Sequence, residues 1–337
     1  MYRKHYLTIL IFVAGIIACN KNVVDEVVTF VNPSYFPKPT YNLENNPISK
    51  AKFELGRKLF YDPILSANNT ISYGSCHIQT SAFTHHGHTV SHGILDRLGT
   101  RNSPAIMNLA WASSFMWDGG IVDLDLQAIA PITNHVEMDD SLPNVLAKLR
   151  THAQYPGLFK NAFGSSDVTG INFLKALSQF MVMCVSNNSK YDSVKRNQAS
   201  FTTVEIQGYQ VFQQKCETCH KEPLFTDYSF RNNGLSISYQ NDEGRFLVTN
   251  NPVDKYKFKV PSLRNLSYTA PYMHDGRLLT LDAVLDHYTT NVQATQNLDA
   301  LLQNGITLNA VERTNLLAFL KTLDDKSFLL DKRLSEQ

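Results

Sequence analysis

The stretch Cys216-Glu217-Thr218-Cys219-His220 decides how the rest of this 337-residue chain is interpreted. Cys-x-x-Cys-His is the attachment signature of c-type haem, in which two thiols bond to the porphyrin and the adjacent imidazole ligates iron. A thioredoxin-like motif would need a surrounding βαβ pattern, and a zinc site would need a second pair of Cys or His ligands at zinc spacing. The sequence offers neither, so the pentad predicts a haem on Cys216, Cys219 and His220.

The first half of the chain contains an incomplete copy of this motif. Tyr73-Gly74-Ser75-Cys76-His77 keeps the final Cys-His, but Tyr73 stands where the first cysteine would be. One thioether from Cys76 and one iron ligand from His77 would still hold a haem. The alternative is that the site has lost its haem, and the spacing leaves both interpretations open.

Composition indicates a globular protein of about two domains, at roughly 150 residues each. The chain is 43% hydrophobic and 18% charged, so it can bury a core and is not a disordered chain. Lys and Arg together number 31 against 30 Asp and Glu, which gives no basic surface for nucleic acid. Five cysteines are too few for a disulfide scaffold of this size.

Hydrophobic periodicity predicts a mainly α fold with long loops. Two apolar helix faces carry this prediction, and they consist of Phe173, Ala176, Leu177, Phe180, Met181 and Cys184, and of Leu316, Phe319, Leu320 and Leu323. Turn-rich stretches at 62–108 and 227–275 separate the helices, and a large cofactor would order them. The polar run 186–200 predicts a domain boundary, which we place after residue 190.

The N-terminus predicts export and a lipid anchor. Residues 1–19 have a basic start and then an apolar run too short to span a bilayer, as in a signal peptide. The ending Ala18-Cys19 resembles a lipobox, in which Cys19 becomes lipidated and holds the protein on the periplasmic face of a membrane. A plain secretory signal is the alternative. The proline-containing stretch 20–46 is predicted to be a tether.

A series of collinear blocks resembles the bacterial dihaem cytochrome c peroxidase family, which includes the dihaem enzyme that matures methylamine dehydrogenase. The resemblance covers residues from about 48 to 325. The blocks in the first half are 54–60, 62–66, 82–83, 101–104, 116–120, Gln127, Pro131 and 137–138. Those in the second half are 225–227, 233–235, 260–265 and 270–276.

The resemblance implies two cytochrome c-like helical domains with one haem each. The domain 47–190 would be peroxidatic and reduce hydrogen peroxide, and the domain 191–337 would accept electrons from a small donor protein. Trp117 matches the tryptophan between the haems, Glu137 the catalytic acid–base, and Gln127 the residue that positions peroxide. Taken without the resemblance, the three would be read as core packing, a surface carboxylate and a helix-face amide.

The resemblance also suggests sixth ligands for both irons. Twelve residues after Gly276 it places Tyr288, which we favour over the thioether of Met273 as ligand of the C-terminal haem. His92 lies near the position of a histidine that caps the N-terminal haem in some members, but an open face is favoured there. The neighbouring His85, His86 and His88 leave a metal site or a solvated loop as further interpretations.

A calcium ion between the haems is implied by Asn102, Thr269 and Pro271, which match the positions of one side-chain ligand and two carbonyl ligands. Oxygen-only ligation suits calcium, and three protein ligands would leave several positions to water. The alternative for Asn102 is that its side chain caps its own turn.

These patterns lead to one hypothesis and two alternatives. The first is a c-type dihaem peroxidase that reduces hydrogen peroxide with electrons from a small cytochrome c or cupredoxin. The sequence does not decide whether this protein forms a homodimer. The second is a maturase-like oxidase with a haem ligated by Tyr288. The third is a monohaem electron-transfer protein whose N-terminal site is empty, which Tyr73 favours and the retention of Trp117, Gln127 and Glu137 opposes.

Overall fold

The computed structural model describes residues 28–237 and 241–337, and within them the chain is mainly helical, as predicted. The predicted signal peptide and Cys19 lie outside the described residues. No helix in the described ranges is long and apolar enough to cross a membrane.

The helices and strands follow in chain order. The helices are α1 (Lys50–Tyr61), α2 (Tyr73–Cys76), α3 (Leu124–Gln127), α4 (Ile129–Thr133), α5 (Leu142–Thr151), α6 (Tyr155–Phe163), α7 (Gly170–Met183), α8 (Lys190–Lys195), α9 (Thr203–Lys215), α10 (Phe246–Thr249), α11 (Leu281–Asp286), α12 (Ala310–Lys321) and α13 (Lys326–Leu329). The strands are β1 (Phe230–Arg231) and β2 (Phe258–Lys259), which pair antiparallel with Phe230 opposite Lys259. Short 3₁₀ turns occupy parts of the long connections.

Side-chain caps set where the long helices begin. The Thr169 hydroxyl accepts a hydrogen bond from the Asn172 N–H at the start of α7. At the start of α9, Thr202 and Glu205 form a reciprocal capping box. Each such cap satisfies N–H groups that have no partner within the helix. The apolar face predicted for 173–184 is buried along α7, so the periodicity identified this helix correctly.

A glycine brings two long helices into close contact in each half of the chain. A Cβ at Gly56 of α1 would lie 1.9 Å from the carbonyl oxygen of Ala176 in α7. A Cβ at Gly208 of α9 would lie 1.9 Å from the carbonyl oxygen of Asn315 in α12. Only a residue without a Cβ permits these crossings, so the two halves repeat the same helix pair.

Two buried clusters surround these helix pairs. The N-terminal cluster includes Phe60, Phe83, Phe159, Phe173 and Phe180, and the C-terminal cluster includes Tyr191, Phe212, Phe225, Leu316 and Phe319. Phe328 and Leu329 of α13 belong to the N-terminal cluster. The end of the chain therefore packs back onto the first half.

Part of the predicted tether, residues 28–46, lies against the N-terminal cluster. Phe36 is buried and meets Trp111 edge-on at 4.9 Å between ring centroids. The Thr40 N–H donates to the Ala110 carbonyl at 2.9 Å. The side chain of Asn46 is buried between these elements and α7.

Ion pairs connect the two halves of the chain. Arg101 donates to Asp118 at 2.5 Å within the first half and to Asp242 at 2.6 Å in the second. Within the second half, Arg264 is fully buried and forms a two-pronged pair with Asp192 at 2.8 and 2.9 Å. The two halves leave a cavity between them.

Candidate functional site

The cavity has a volume of about 1090 Å³ and is lined by both halves of the chain. Small-molecule sites usually measure roughly 300–1,000 Å³, so this one accommodates a large group. Thirteen of the fourteen predicted site residues line it, and these are Cys76, His77, Asn102, Trp117, Gln127, Glu137, Cys216, Cys219, His220, Thr269, Pro271, Met273 and Tyr288. His92 is the exception.

The two motif histidines have the same local arrangement. His77 Nδ1 lies 2.8 Å from the Phe83 carbonyl oxygen, and burial lowers the pKa of His77 to about 4. His220 Nδ1 lies 3.2 Å from the Pro261 carbonyl oxygen, and burial lowers its pKa as well. A neutral imidazole whose Nδ1–H donates to a carbonyl leaves Nε2 as the metal ligand. This arrangement fits the predicted role of both rings as iron ligands.

The cysteines differ between the motifs. Cys216 follows α9 directly, and burial raises the pKa of its thiol to about 12. Burial also raises the pKa of the Cys219 thiol. Cys76 ends α2 and its thiol donates to the His92 carbonyl at 3.4 Å. Burial raises the pKa of Cys76 to about 11. All three thiols are partly buried, have raised pKa values and line the cavity.

Tyr73 occupies the position that corresponds to Cys216. It is buried, its ring stacks on Phe60 at 5.7 Å, and its hydroxyl donates to the Ala128 carbonyl at 2.5 Å. The phenol is therefore a well-packed wall residue of the cavity. The N-terminal motif offers one thiol and one imidazole.

In the first half, two polar side chains that line the cavity keep hydrogen-bonding capacity that the protein does not use. Gln127 ends α3, and its Oε1 is buried with no partner among the described residues. Glu137 accepts a hydrogen bond from Asn134 Nδ2 at 3.0 Å through Oε1. Burial raises the pKa of Glu137. A buried amide oxygen without a partner and a carboxyl group of raised pKa suit a site that binds and protonates a small polar ligand.

The C-terminal side of the cavity contains both candidate sixth ligands. Tyr288 lies in a π-helical turn, His287–Asn291, that continues α11. Burial raises the pKa of Tyr288 to about 12, and a hydrogen bond with the Asn233 side chain acts in the opposite direction. The same Asn233 amide donates to the sulfur of Met273 at 3.3 Å. One amide thus orients both candidates.

His92 belongs to a histidine cluster outside the cavity lining. His88 Nδ1 lies 3.1 Å from His92 Nε2, and His92 Nδ1 lies 3.0 Å from Asp96 Oδ1. The rings of His85 and His88 stack at 4.3 Å. Over the described residues, no group of three or more His, Cys, Asp or Glu side chains is arranged to hold a metal ion.

Trp117 and Asn102 are linked where the halves meet. Trp117 Nε1 donates to the Asn102 carbonyl at 2.8 Å, and the Asn102 N–H donates to the His274 carbonyl at 2.7 Å. The Asn102 side-chain amide donates to the Thr89 carbonyl at 3.1 Å. The indole thus connects to the second half through two hydrogen bonds. The calcium ligands stay a prediction.

Sequence reasoning did not assign two residues that line the cavity, Asn233 and Lys259. Asn233 opens the block 233–235, and Lys259 immediately precedes the block 260–265. Both blocks were identified by resemblance, but a lone Asn or Lys next to them carries no chemical signature of its own. The fold is what turns these side chains toward the cavity.

The donor set fits haem c. A thioether-bound haem needs thiols, an imidazole whose Nε2 is free, and a large apolar cavity. The second half supplies two thiols and His220, and the first supplies Cys76 and His77. Both sets line one cavity, which is what two electronically connected haems require.

Comparisons with known proteins identify the family of this chain. The model of the family described as di-haem cytochrome c peroxidase matches residues 50–200. The methylamine utilization protein MauG of Methylorubrum extorquens is 35% identical over 304 residues, which cover 87% of this chain and 83% of that protein. The cytochrome c551 peroxidase of Nitrosomonas europaea is 34% identical over 275 residues, which cover 80% and 79%.

Solved structures show the same architecture. A MauG-like protein associated with microbial copper homeostasis is 34% identical with a TM-score of 0.85, over 91% of this chain and 99% of that one. The diheme peroxidase BthA from Burkholderia thailandensis, at 18% identity and a TM-score of 0.72 over 86% and 91%, shares the fold. The chain therefore belongs to the di-haem cytochrome c peroxidase family, which also contains MauG-like enzymes.

Proposed function

We propose that this protein is a c-type dihaem peroxidase that reduces hydrogen peroxide to water with electrons from a small cytochrome c or cupredoxin. The observation that carries the proposal is the pairing of Glu137 and Gln127 on the cavity wall that also holds His77. A protein that only transfers electrons has no use for a buried carboxyl and an unpartnered amide oxygen beside a haem site.

Two haems are part of the proposal. The C-terminal haem is attached through Cys216 and Cys219, and the N-terminal haem through a single thioether from Cys76. A haem on His77 would supply the iron at which the oxygen–oxygen bond of peroxide is broken. The remaining chemistry comes from the chain's own side chains.

Glu137 acts as acid and base. Its carboxylate takes the proton from the peroxide oxygen that binds and returns it to the oxygen that leaves as water. Such proton transfer contributes roughly a hundred- to ten-thousandfold to a rate. Burial raises the pKa of Glu137, which makes the carboxylate a stronger base, and the hydrogen bond from Asn134 holds its orientation.

Gln127 positions the peroxide. Its unpartnered Oε1 accepts a hydrogen bond from a bound hydroperoxide, and its amide N–H₂ is held by a contact of 3.8 Å to the sulfur of Met116. The amide carries no charge at any working pH. Its contribution is therefore to orientation, while proton transfer belongs to Glu137.

Electrons enter through the second half. A haem on His220 would exchange electrons with the donor, and Trp117 lines the cavity that the two motif sets share, which supports its role as the bridge between the haems. Its indole is fixed by the hydrogen bond to Asn102 and its carbonyl by the Lys259 N–H. A rigid aromatic ring between two redox centres shortens the path that electrons cross.

The test is steady-state peroxide reduction by the haem-loaded protein with reduced cytochrome c, and separately with a reduced cupredoxin. We expect donor oxidation that depends on peroxide, with two donor electrons per peroxide. The Cys76→Ser/His77→Ala variant removes the N-terminal attachment and should abolish this turnover while leaving the C-terminal haem. Turnover equal to wild type in that variant would contradict the proposal.

A maturase-like oxidase is the second candidate, and Tyr288 is the observation that favours it. Its buried phenol faces the cavity within hydrogen-bonding reach of Asn233, as an iron ligand of the second haem would. A tyrosinate ligand stabilises ferric iron and disfavours electron uptake from a high-potential donor. Oxidation of an added protein or aromatic compound by peroxide, without donor turnover, would select this candidate.

The proposal places the protein outside the cytoplasm, anchored through lipidated Cys19, with calcium bound by Asn102, Thr269 and Pro271. Metabolic labelling with a palmitate analogue, with Cys19→Ser as the control, tests the lipid anchor.

Removal of calcium with a chelator followed by calcium addition, with the haem spectrum as readout, tests whether calcium binds. A homodimer is tested by light scattering.

A further inference from the structure

Lys259 is a cation at the cavity wall that the proposed chemistry does not use. It ends strand β2 in the second half of the chain and is partly buried, and its side chain lines the cavity. Burial lowers the pKa of its ammonium group to about 8. An anionic partner would stabilise the charged form of this lysine.

The side chain is held against the first half of the chain. Its Nζ donates to the Ser114 carbonyl at 2.7 Å and lies 5.9 Å from the ring centroid of Phe115. Its backbone N–H donates to the Trp117 carbonyl at 2.7 Å. Two contacts thus hold the ammonium against residues 114 and 115, and the backbone bond fixes Lys259 beside Trp117 in the fold.

No carboxylate in the described ranges forms an ion pair with this ammonium. The acid that influences it most is Asp118, and that carboxylate is already engaged by Arg101 at 2.5 Å. Transfer of an unpaired charge out of water is costly, so buried ammonium groups are paired or deprotonated. A neutral carbonyl such as that of Ser114 satisfies one N–H but not the charge.

A haem brings two carboxylates into such a cavity, on its propionate arms. We propose that Lys259 binds the propionate carboxylate of a haem at the junction of the two halves, beside Trp117. The inference depends on haem being bound in the cavity but not on the reaction with peroxide. It makes Lys259 a positioning residue that fixes one haem edge next to the bridging indole.

The electrostatic consequence has a definite sign. Reduction of a haem adds negative charge, and a nearby ammonium stabilises the reduced form. Removal of that charge therefore lowers the midpoint potential of the haem whose propionate it contacts. The other haem should respond less because Coulomb interactions fall with distance.

The experiment is a spectroelectrochemical titration of the fully haem-loaded protein, with no peroxide present. Lys259→Met and Lys259→Gln should each lower the midpoint potential of one haem, and the propionate bending mode in the resonance Raman spectrum should shift. Lys259→Arg should keep both close to wild type. Lys257→Met is the matched control, because Lys257 lies on the same segment but pairs with Asp254.

Unchanged potentials and an unchanged propionate mode in both neutral variants would overturn the proposal, as would an equal shift in Lys257→Met. If one neutral variant fails to mature, the other decides, since Gln keeps the donor to the Ser114 carbonyl. An enzyme inactive toward peroxide could still show every expected shift. Failure of the proposed function is therefore distinguishable from failure of this inference.

Discussion

The two ends of the cavity use the same fold to build different sites. In the second half, the cavity lining contains two thiols, His220 and two further candidate iron ligands, Tyr288 and Met273. In the first half, the lining contains one thiol and His77, together with the polar side chains of Gln127 and Glu137. The second half therefore offers more candidate iron ligands, and the first half offers acid–base and hydrogen-bonding groups.

Under the proposed function, this difference corresponds to the two roles. A haem ligated on both sides exchanges electrons with little rearrangement, whereas a haem with one open side binds a substrate. His92, which would close that side, has its ring engaged with His88 and Asp96 and is absent from the cavity lining. The repeated helix pairs would then support a reactive half and a conducting half.

The strongest test of the reactive half is Glu137→Gln. Since the amide neither accepts nor returns a proton, we expect peroxide reduction to fall by roughly a hundred- to ten-thousandfold. Haem content and the spectrum of the C-terminal haem should not change. The matched control is Glu44→Gln, an exposed glutamate, which should leave the rate at wild-type level. Comparable loss in both variants would contradict the assignment.

The pH dependence of the wild-type rate should follow the same carboxyl. Burial raises the pKa of Glu137, so its proton-accepting form is lost on acidification at a higher pH than for an ordinary glutamate. The rate should therefore be constant at high pH and decline below the raised pKa. Measurement of kcat/KM against pH checks this, and an acidic limb that persists in Glu137→Gln would assign the titration to another group.

The repeated helix crossings should be equally sensitive in the two halves. Gly56→Ala and Gly208→Ala each push a Cβ into a facing backbone carbonyl, and overpacking of this kind costs about 1–3 kcal/mol. Chemical denaturation followed by circular dichroism measures the loss. The control is Gly157→Ala in α6, where an added Cβ meets nothing within 4 Å. A loss in only one of the two crossings would break the comparison between the halves.

Gln127→Leu should have a smaller effect than Glu137→Gln. One hydrogen bond to a neutral or charged ligand is worth about 1–2 kcal/mol, so we expect roughly a tenfold fall in kcat/KM for peroxide. Because the amide positions and does not transfer protons, the pH profile should keep its shape. The exposed Gln303→Leu is the control. A changed pH profile would assign Gln127 a role in proton transfer.

Substitutions of the two candidate ligands of the C-terminal haem should have the smallest effect on stability. Their effect on the haem spectrum should be specific. Tyr288→Phe removes the phenol oxygen and should change the ferric spectrum of that haem alone. Met273→Leu conserves volume and should leave the spectrum as it is, at a cost below about 1.5 kcal/mol. The reverse pattern would make Met273 the ligand and favour a higher-potential, electron-accepting haem.

Periodicity was enough to predict the main helix, and motif spacing was enough to propose site residues, whose roles stay predictions. The apolar face 173–184 predicted α7 because its residues recur at the spacing of one side of a helix, and that side packs on α1. Cys216, Cys219 and His220 could be proposed as haem-binding residues because the pentad carries its chemistry in consecutive residues. These are local signals, and local signals can be read from sequence.

Contacts made across the fold could not be predicted in this way. The π-helical turn at His287–Asn291 follows α11 without a sequence signal. Asn233 and Lys259 are ordinary polar residues until the second half folds them toward the cavity. His92 lies in the expected loop, but a partner four residues away in each direction holds its ring outside the cavity lining.

Haem stoichiometry tests the central claim most directly. The protein should be matured in a cell that attaches c-type haem, and intact mass should be combined with a pyridine haemochrome spectrum. We predict two haems per chain, one with the shifted band of a single thioether, and Cys76 modified. One haem per chain with Cys76 unmodified would contradict the account and leave an electron-transfer protein with a peroxidase fold.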